Sequence, residues 1–176
     1  MNLEIRDIKL SDVQTMVNWG KFVDVRYLHF NFPYSEHTDF KLWYRYKVSA
    51  FRIRTFGVFL GTQVIGFVSF KNINYLFNRA ELGVIFDINY ASKGYGYTAI
   101  EEIIRRVKYK KVYLYVSTFN IRAYNIYKKL GFVSIKTEYR LFENQEIIDE
   151  IQDDDRDFLK KNGKLYGKYI KMEKYL

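Results

Sequence analysis

One stretch restricts the fold more than any other. From Arg79 to Asp87 the chain alternates as a strand, with Ala80, Leu82, Val84 and Phe86 on one face and Glu81, Gly83, Ile85 and Asp87 on the other. A loop holding Gly94 and Gly96 follows, and then Ile100, Ile103, Ile104 and Val107 repeat at i, i+3, i+4 and i+7, the stripe of a helix laid on a sheet. Lys111 to Val116 returns as a β-branched and aromatic strand. A strand, a covering helix and a second strand in that order make two strands parallel, so the chain is an α/β domain with at least one parallel pair.

The other elements fit around this unit. Leu3, Ile5 and Ile8 mark a first strand, and Ser11 with Gln14 has the form of a capping box opening a helix to about Trp19. A second helix is expected from Glu36 to Ser49, with Val25 to Ser35 between them as a loop containing the only proline, Pro33. Phe56 to Leu60 and Val64 to Phe70, joined at Gly61, form a hairpin. Asn120 caps a helix whose Ala123, Ile126, Tyr127 and Leu130 make one stripe, with Gly131 as its stop. Phe132 to Leu141 and Lys164 to Tyr175 are strands, Asn162-Gly163 is a turn, and the acidic segment Glu143 to Asp157 between them is helical or a loop. The whole reads as a mixed sheet, antiparallel first and partly parallel afterwards. No repeat or linker divides the 176 residues, which fit a single domain, 1–176.

Composition then removes whole classes of chemistry. With no Cys there is no thiolate metal site, disulfide or thiol nucleophile, and His29 and His37 are too few for a histidine cluster, so no metal is expected. No run approaches the roughly 20 apolar residues of a membrane span, and the acids of MNLEIRDIKLSD stand where a signal peptide needs an apolar core. These features predict a soluble, cytoplasmic protein with no membrane partner. The net charge of +9 hides an asymmetry: Glu143 to Asp157 holds eight acids and one Arg, about −7, leaving about +16 elsewhere. A basic body favours an anionic partner. The acidic segment reads first as a solvated face, with a dock for a cationic acceptor as the alternative. Nucleic acid is disfavoured as that partner, because the tyrosines alternate within strands and helical stripes rather than interleaving with basic residues on one exposed face.

The loop from Ala91 to Tyr97 has the construction of an anion site. The first N–H groups of a helix lack intrahelical acceptors, the helix dipole is positive there, and Gly94 and Gly96 let a phosphate approach the backbone beside Lys93. It is neither a Walker loop nor a dinucleotide fingerprint, since the required spacing and chain position are missing. Together with Asn120-x-x-Ala123-x-x-x-Tyr127-x-x-x-Gly131-Phe132, the segment Ala91-Ser92-Lys93-Gly94-Tyr95-Gly96 resembles the GNAT superfamily of acetyl-CoA-dependent N-acetyltransferases. The run Asn72 to Tyr75 and Arg79 to Gly83 is similar to its ribosomal-protein and polyamine acetyltransferase branches.

The resemblance implies a mostly antiparallel central sheet of about seven strands flanked by helices, with acetyl-CoA in the cleft between splayed strands. It further implies that the backbone of Val84, Ile85 and Phe86 pairs with the pantetheine arm and that the amides of Ser92, Lys93, Gly94, Tyr95, Gly96 and Tyr97 hold the pyrophosphate. Asn120 would contact the cofactor arm, and the Tyr127 hydroxyl would protonate the departing thiolate. Glu81, on the half-polar strand face, is the candidate base for an amine whose ordinary pKa is about 10.4; the competing reading is an ion-pair partner of Arg79 or a lysine. Two positions depart from the family pattern. Ala91 stands where Gln or Arg is usual, and Tyr115 where some relatives have an acid. His29, Tyr27, Phe30, Phe32, Tyr34 and Trp43 would border or pack beneath the acceptor pocket, with the histidines read as exposed or structural.

The expected activity is therefore transfer of acetyl from acetyl-CoA to a primary amine, either a small molecule or a protein N-terminus, in a ternary complex. A CoA-sensing domain without catalysis and a basic nucleic-acid-binding domain are the alternatives. Open sheet edges leave a homodimer available.

Overall fold

The structure is a computed structural model that describes residues 3–34 and 40–176. Eight strands form one sheet: β1 (Leu3–Asp7), β2 (Arg54–Leu60), β3 (Gln63–Asn74), β4 (Arg79–Phe86), β5 (Lys111–Ser117), β6 (Val133–Leu141), β7 (Phe158–Lys161) and β8 (Lys164–Tyr175). Among the described residues four α-helices accompany them: α1 (Leu10–Thr15), α2 (Phe40–Lys47), α3 (Tyr95–Arg106) and α4 (Ile121–Lys129). The sheet order is β1-β2-β3-β4-β5-β8-β6, with β7 also on β8. This is the mixed, mostly antiparallel architecture that the sequence predicts, with eight strands in place of about seven. The additional strand is β7, whose four residues Phe-Leu-Lys-Lys are too short to show alternation.

Among the described residues only β4 and β5 run parallel, and they stay together for three residue pairs, Arg79↔Lys111, Ala80↔Val112 and Glu81↔Tyr113. Beyond Glu81 they separate. Parallel pairing does not recur later because β8 enters between β5 and β6, antiparallel to both. The separation leaves the last residues of β4 without a partner on their β5 side, and this gap is where the cavities described below lie.

Each sheet face is covered for a reason visible in the side chains. The stripe Ala99, Ile100, Ile103 and Ile104 of α3 and Tyr127 of α4 pack on Val68, Phe70, Leu82, Val112, Leu114 and Met172. Fully buried chains such as Ile103 and Leu114 each stabilise this layer by roughly 2 kcal/mol. On the opposite face, Val13, Met16, Trp19, Phe40 and Trp43 cover Phe59, Val64 and Phe67. A third cluster, Phe142, Ile147, Ile151, Phe158 and Leu165, lies under the acidic segment.

Some boundaries differ from those expected. Helix α1 starts two residues earlier than Ser11 would place it, because Asp12 accepts a hydrogen bond from the Lys9 amide at 2.8 Å and is itself held by Arg6 at 2.7 Å. An ionised carboxylate pinned by a guanidinium outcompetes the neutral Ser11–Gln14 pair. The expected loop from Val25 holds a 3-10 helix, Val25–Phe30, which Asp24 caps by accepting from the Arg26 amide at 3.0 Å. Of the helix expected from Glu36 to Ser49, Phe40–Lys47 is observed, whereas Ser35, Glu36 and His37 lie outside the described residues. The acidic segment forms a short 3-10 turn, Glu146–Asp149, rather than a solvated helix. Among the described residues no helix is long and apolar enough to cross a membrane.

Candidate active site

The loop after β4 is fixed from below. Asp87 is buried and accepts hydrogen bonds from the amides of Gly20, at 3.0 Å, and Asn89, at 2.9 Å, which ties the strand end to the segment after α1. The chain then turns with Ser92 at φ 62° and Gly94 at φ 85°. Gly94 is the N-cap of α3, in the left-handed conformation that a side chain would strain, and an added Cβ there would meet nothing within 4 Å. A glycine cannot cap with a side chain. The Thr98 amide bonds the Gly94 carbonyl at 3.2 Å, whereas the amides of Tyr95, Gly96 and Tyr97 find no acceptor among the described residues.

These amides lie beside a cavity of about 350 Å³ whose lining includes Val84, Ile85, Phe86, Ser92, Gly94, Gly96, Tyr97, Asn120 and Tyr127. The unpaired end of β4 is one wall, the N-terminus of α3 another and the start of α4 a third. Lys93 and Tyr95 do not line it: Lys93 rests over the Tyr90 ring, 5.1 Å from its centroid, and Tyr95 packs on the same ring. Their backbone remains part of the loop.

Asn120 divides its side chain between two tasks. Its Oδ1 accepts from the Ala123 amide at 3.1 Å and so starts α4, which leaves the amide nitrogen for a ligand. Two turns on, Tyr127 is 8 % exposed, packs edge-on against Phe132 and makes no hydrogen bond within the described residues. Burial raises its phenol well above the ordinary tyrosine value, so the hydroxyl keeps its proton throughout the neutral and mildly alkaline range.

Glu81 lies elsewhere. It is buried at the last residue pair before β4 and β5 part, bonded to Lys71 Nζ at 3.1 Å and to Asn72 Nδ2 at 2.9 Å, and it lines neither cavity. About 13 Å of extended chain separates it from Ile85. The structure thus brings Asn120, Tyr127 and the loop amides together, and does not bring Glu81 to them. Tyr115 packs under the Arg140 guanidinium at 3.6 Å.

A second cavity opens on the other side of the parted strands, lined by Trp19, Phe32, Tyr34, Trp43, Phe67 and the carboxylates Glu143 and Glu146, among others. Phe30 and Ile85 line both cavities, so the two meet at the end of β4. His29 borders the second cavity with its imidazole against Phe30 and Phe142; burial lowers its pKa, and Nδ1 has no hydrogen-bond partner.

Phe22 and Arg122 line the first cavity without having been picked out from the sequence, and Ile126, read there as part of the α4 stripe, lines it as well. For the aromatic ring no local signal exists. Arg122 does carry one, since a cation in the first turn of a helix opposes the helix dipole and implies a compensating anion.

A family model described as an acetyltransferase (GNAT) domain matches residues 2–133. Among curated proteins no relative matches. Among solved structures, the spermidine N-acetyltransferase of Vibrio cholerae in complex with CoA and spermine is 21 % identical, with 98 % of this chain and 95 % of that chain covered and a TM-score of 0.70. A chimera of the Vibrio cholerae enzyme and hSSAT is also 21 % identical, with 99 % and 96 % covered and a TM-score of 0.68. The Vibrio cholerae enzyme in complex with manganese ions is 23 % identical, with 98 % and 92 % covered and a TM-score of 0.64. At this identity the likeness is one of fold.

Proposed function

Because this chain belongs to the GNAT acetyltransferase family, we propose that it transfers acetyl from acetyl-CoA to a primary amine by direct attack with both substrates bound, and that the acceptor is a small amine carrying more than one positive charge. The observation that carries this reading is that Gly96 and Tyr97, whose amides are uncapped at the start of α3, and Tyr127, whose phenol keeps its proton, line one cavity. The amides and the dipole of α3 suit a pyrophosphate, Arg122 adds a formal cation, and the unpaired edge of Val84, Ile85 and Phe86 suits an amide-containing arm laid alongside.

The chemistry follows from that placement. The neutral amine adds to the acetyl carbonyl, a free amide of β4 supports the charge that develops on oxygen, and the departing sulfur takes the Tyr127 proton. No covalent acyl-protein is needed. We assign Glu81 to the ion pair with Lys71 and the hydrogen bond from Asn72, and let the proton of the amine leave through water in the second cavity.

The acceptor class rests on that second cavity. Aromatic walls with two carboxylates, Glu143 and Glu146, suit a ligand with several ammonium groups, through ion pairing and cation–π contact. The net charge of +9 points the other way for the body as a whole, but a local carboxylate pair acts at contact distance, where distant lysines are screened by salt. That the Vibrio cholerae relative binds spermine supports the same class.

A panel of amines with a thiol-release readout tests the reading. Linear polyamines should be turned over with the highest kcat/KM. The double variant Glu143→Gln/Glu146→Gln should raise their KM by about tenfold or more with kcat little changed, because charge that binds substrate and transition state alike sets KM. Acetyl-CoA binding with no thiol release for any amine would contradict catalysis and favour a sensing role. Equal use of neutral and polycationic amines would contradict the acceptor class alone.

A further inference from the structure

His29 stands beside the junction of the two cavities. It lines the second, and its imidazole lies 4.0 Å, centroid to centroid, from Phe30, which lines both, and 4.9 Å from Phe142. Its Nδ1 is the only buried side-chain nitrogen or oxygen among the described residues that has no hydrogen-bond partner. Such atoms are rare in folded proteins, and a catalytic role is one reason they persist. In a neutral imidazole one nitrogen carries the proton and the other an open lone pair, so an unpaired ring has room for a proton that no neighbour already claims. Tyr34, Lys47, Glu143 and Glu146 are the other titratable side chains lining this cavity among the described residues, and on the 3-10 helix of His29 itself Arg26 is engaged by Asp24 at 2.7 Å. Glu143 favours the charged imidazole, but burial is the larger effect and holds its pKa below the ordinary value of about 6.5. At neutral pH the ring is therefore uncharged and able to accept a proton.

We propose that His29 accepts the proton that the attacking amine loses, directly or through one water; the assignment rests on the acetyl transfer proposed above. The lone pair of the amine nitrogen forms the bond to the acetyl carbon, the carbonyl π pair moves to oxygen, and the nitrogen becomes cationic and acidic. Its N–H bond then breaks, the electron pair stays on nitrogen, and the imidazole lone pair takes the proton. Collapse of the oxyanion breaks the C–S bond, and the sulfur takes the Tyr127 proton. The extra proton of the imidazolium returns to Tyr127 through water, so amine and thioester become amide and thiol with nothing else consumed. Position favours this residue over Glu81, which is bound to Lys71 and Asn72 and lines neither cavity. Imidazole is also the side chain whose ordinary pKa lies nearest neutrality. An acceptor whose distal ammonium groups are held by Glu143 and Glu146 directs its reacting nitrogen toward Phe30 and Ile85, where the cavities meet and beside which the imidazole stands.

The pH profile of acetyl transfer by the full chain tests this, with spermine as acceptor and thiol release as readout. The amine alone gives log kcat a slope of about 1 below its own pKa, because only its neutral form attacks. In the unaltered chain His29 should add a second unit of slope below about pH 6.5. His29→Gln should lower kcat at about pH 7.5 by about 100-fold and remove that second unit, with acetyl-CoA affinity within about twofold and circular dichroism unchanged. His29→Ala should regain at least about tenfold of its lost rate when free imidazole is added, since the base then re-enters the space left by the ring. A His29→Gln profile that keeps the steeper acid limb, or a rate loss that imidazole does not restore, would show that His29 only packs and would overturn the proposal. An unaltered chain that binds acetyl-CoA but acetylates no amine would instead refute the activity on which the assignment rests.

Discussion

Replacing Tyr127 with Phe is expected to lower kcat by about 100- to 1,000-fold, in the range typical of losing a positioned proton donor, while leaving the affinity for acetyl-CoA within about twofold. Phe keeps the ring that packs against Phe132 and the buried stripe of α4, so thermal stability should change little. The split is informative because a purely structural tyrosine would show the reverse pattern, with unchanged turnover. Raising the phenol above its ordinary value has a further consequence. Tyr127 remains protonated to beyond pH 10, so its ionisation should contribute no alkaline fall in rate below that point. Loss of activity in step with an ionisation near pH 8 would show that another group supplies the proton.

Gly96→Leu is expected to weaken acetyl-CoA binding by more than about 100-fold. A Cβ at this position would meet Phe86 and Ile126 at 3.8 and 3.9 Å, ordinary contact distances, so the protein itself tolerates the first carbon. The rest of a leucine would enter the cavity beside the uncapped amides, where the pyrophosphate is proposed to sit. Leucine is also a better helix former than glycine by roughly 0.8 kcal/mol, so α3 should not be destabilised by propensity. Lost binding in a protein at least as stable as the parent therefore reads as a blocked ligand site rather than as misfolding. Undiminished affinity would move the pyrophosphate away from this loop.

The parts of the site that were legible in the sequence are those built by local rules. A glycine at a left-handed N-cap, an asparagine that caps its own helix and a helical stripe that includes Tyr127 are all determined within a few residues of chain. The strand from Arg79 and its half-polar face were legible for the same reason. The role of Glu81 was legible only as two readings, a base or an ion-pair partner of Arg79 or a lysine, and the partner is Lys71 because the β3–β4 register sets the two opposite each other across strands distant in the chain. The cavity wall contributed by Phe22 comes from a segment without periodicity, placed by contacts across the whole fold. Likewise, nothing local says that β8 enters between β5 and β6. That pairing is decided by long-range closure, and it is what limits parallel pairing to β4 and β5. The acidic segment shows the same limit: its composition was plain, but its placement of Glu143 and Glu146 at a cavity depends on the cluster of Phe142, Ile147 and Leu165 that anchors it.

The most direct test is a crystal structure of the chain grown with acetyl-CoA. The diphosphate should accept hydrogen bonds from the amides of Tyr95, Gly96 and Tyr97, and the thioester sulfur should lie within reach of the Tyr127 hydroxyl. A cofactor bound elsewhere, or a thioester directed away from that phenol, would contradict the account.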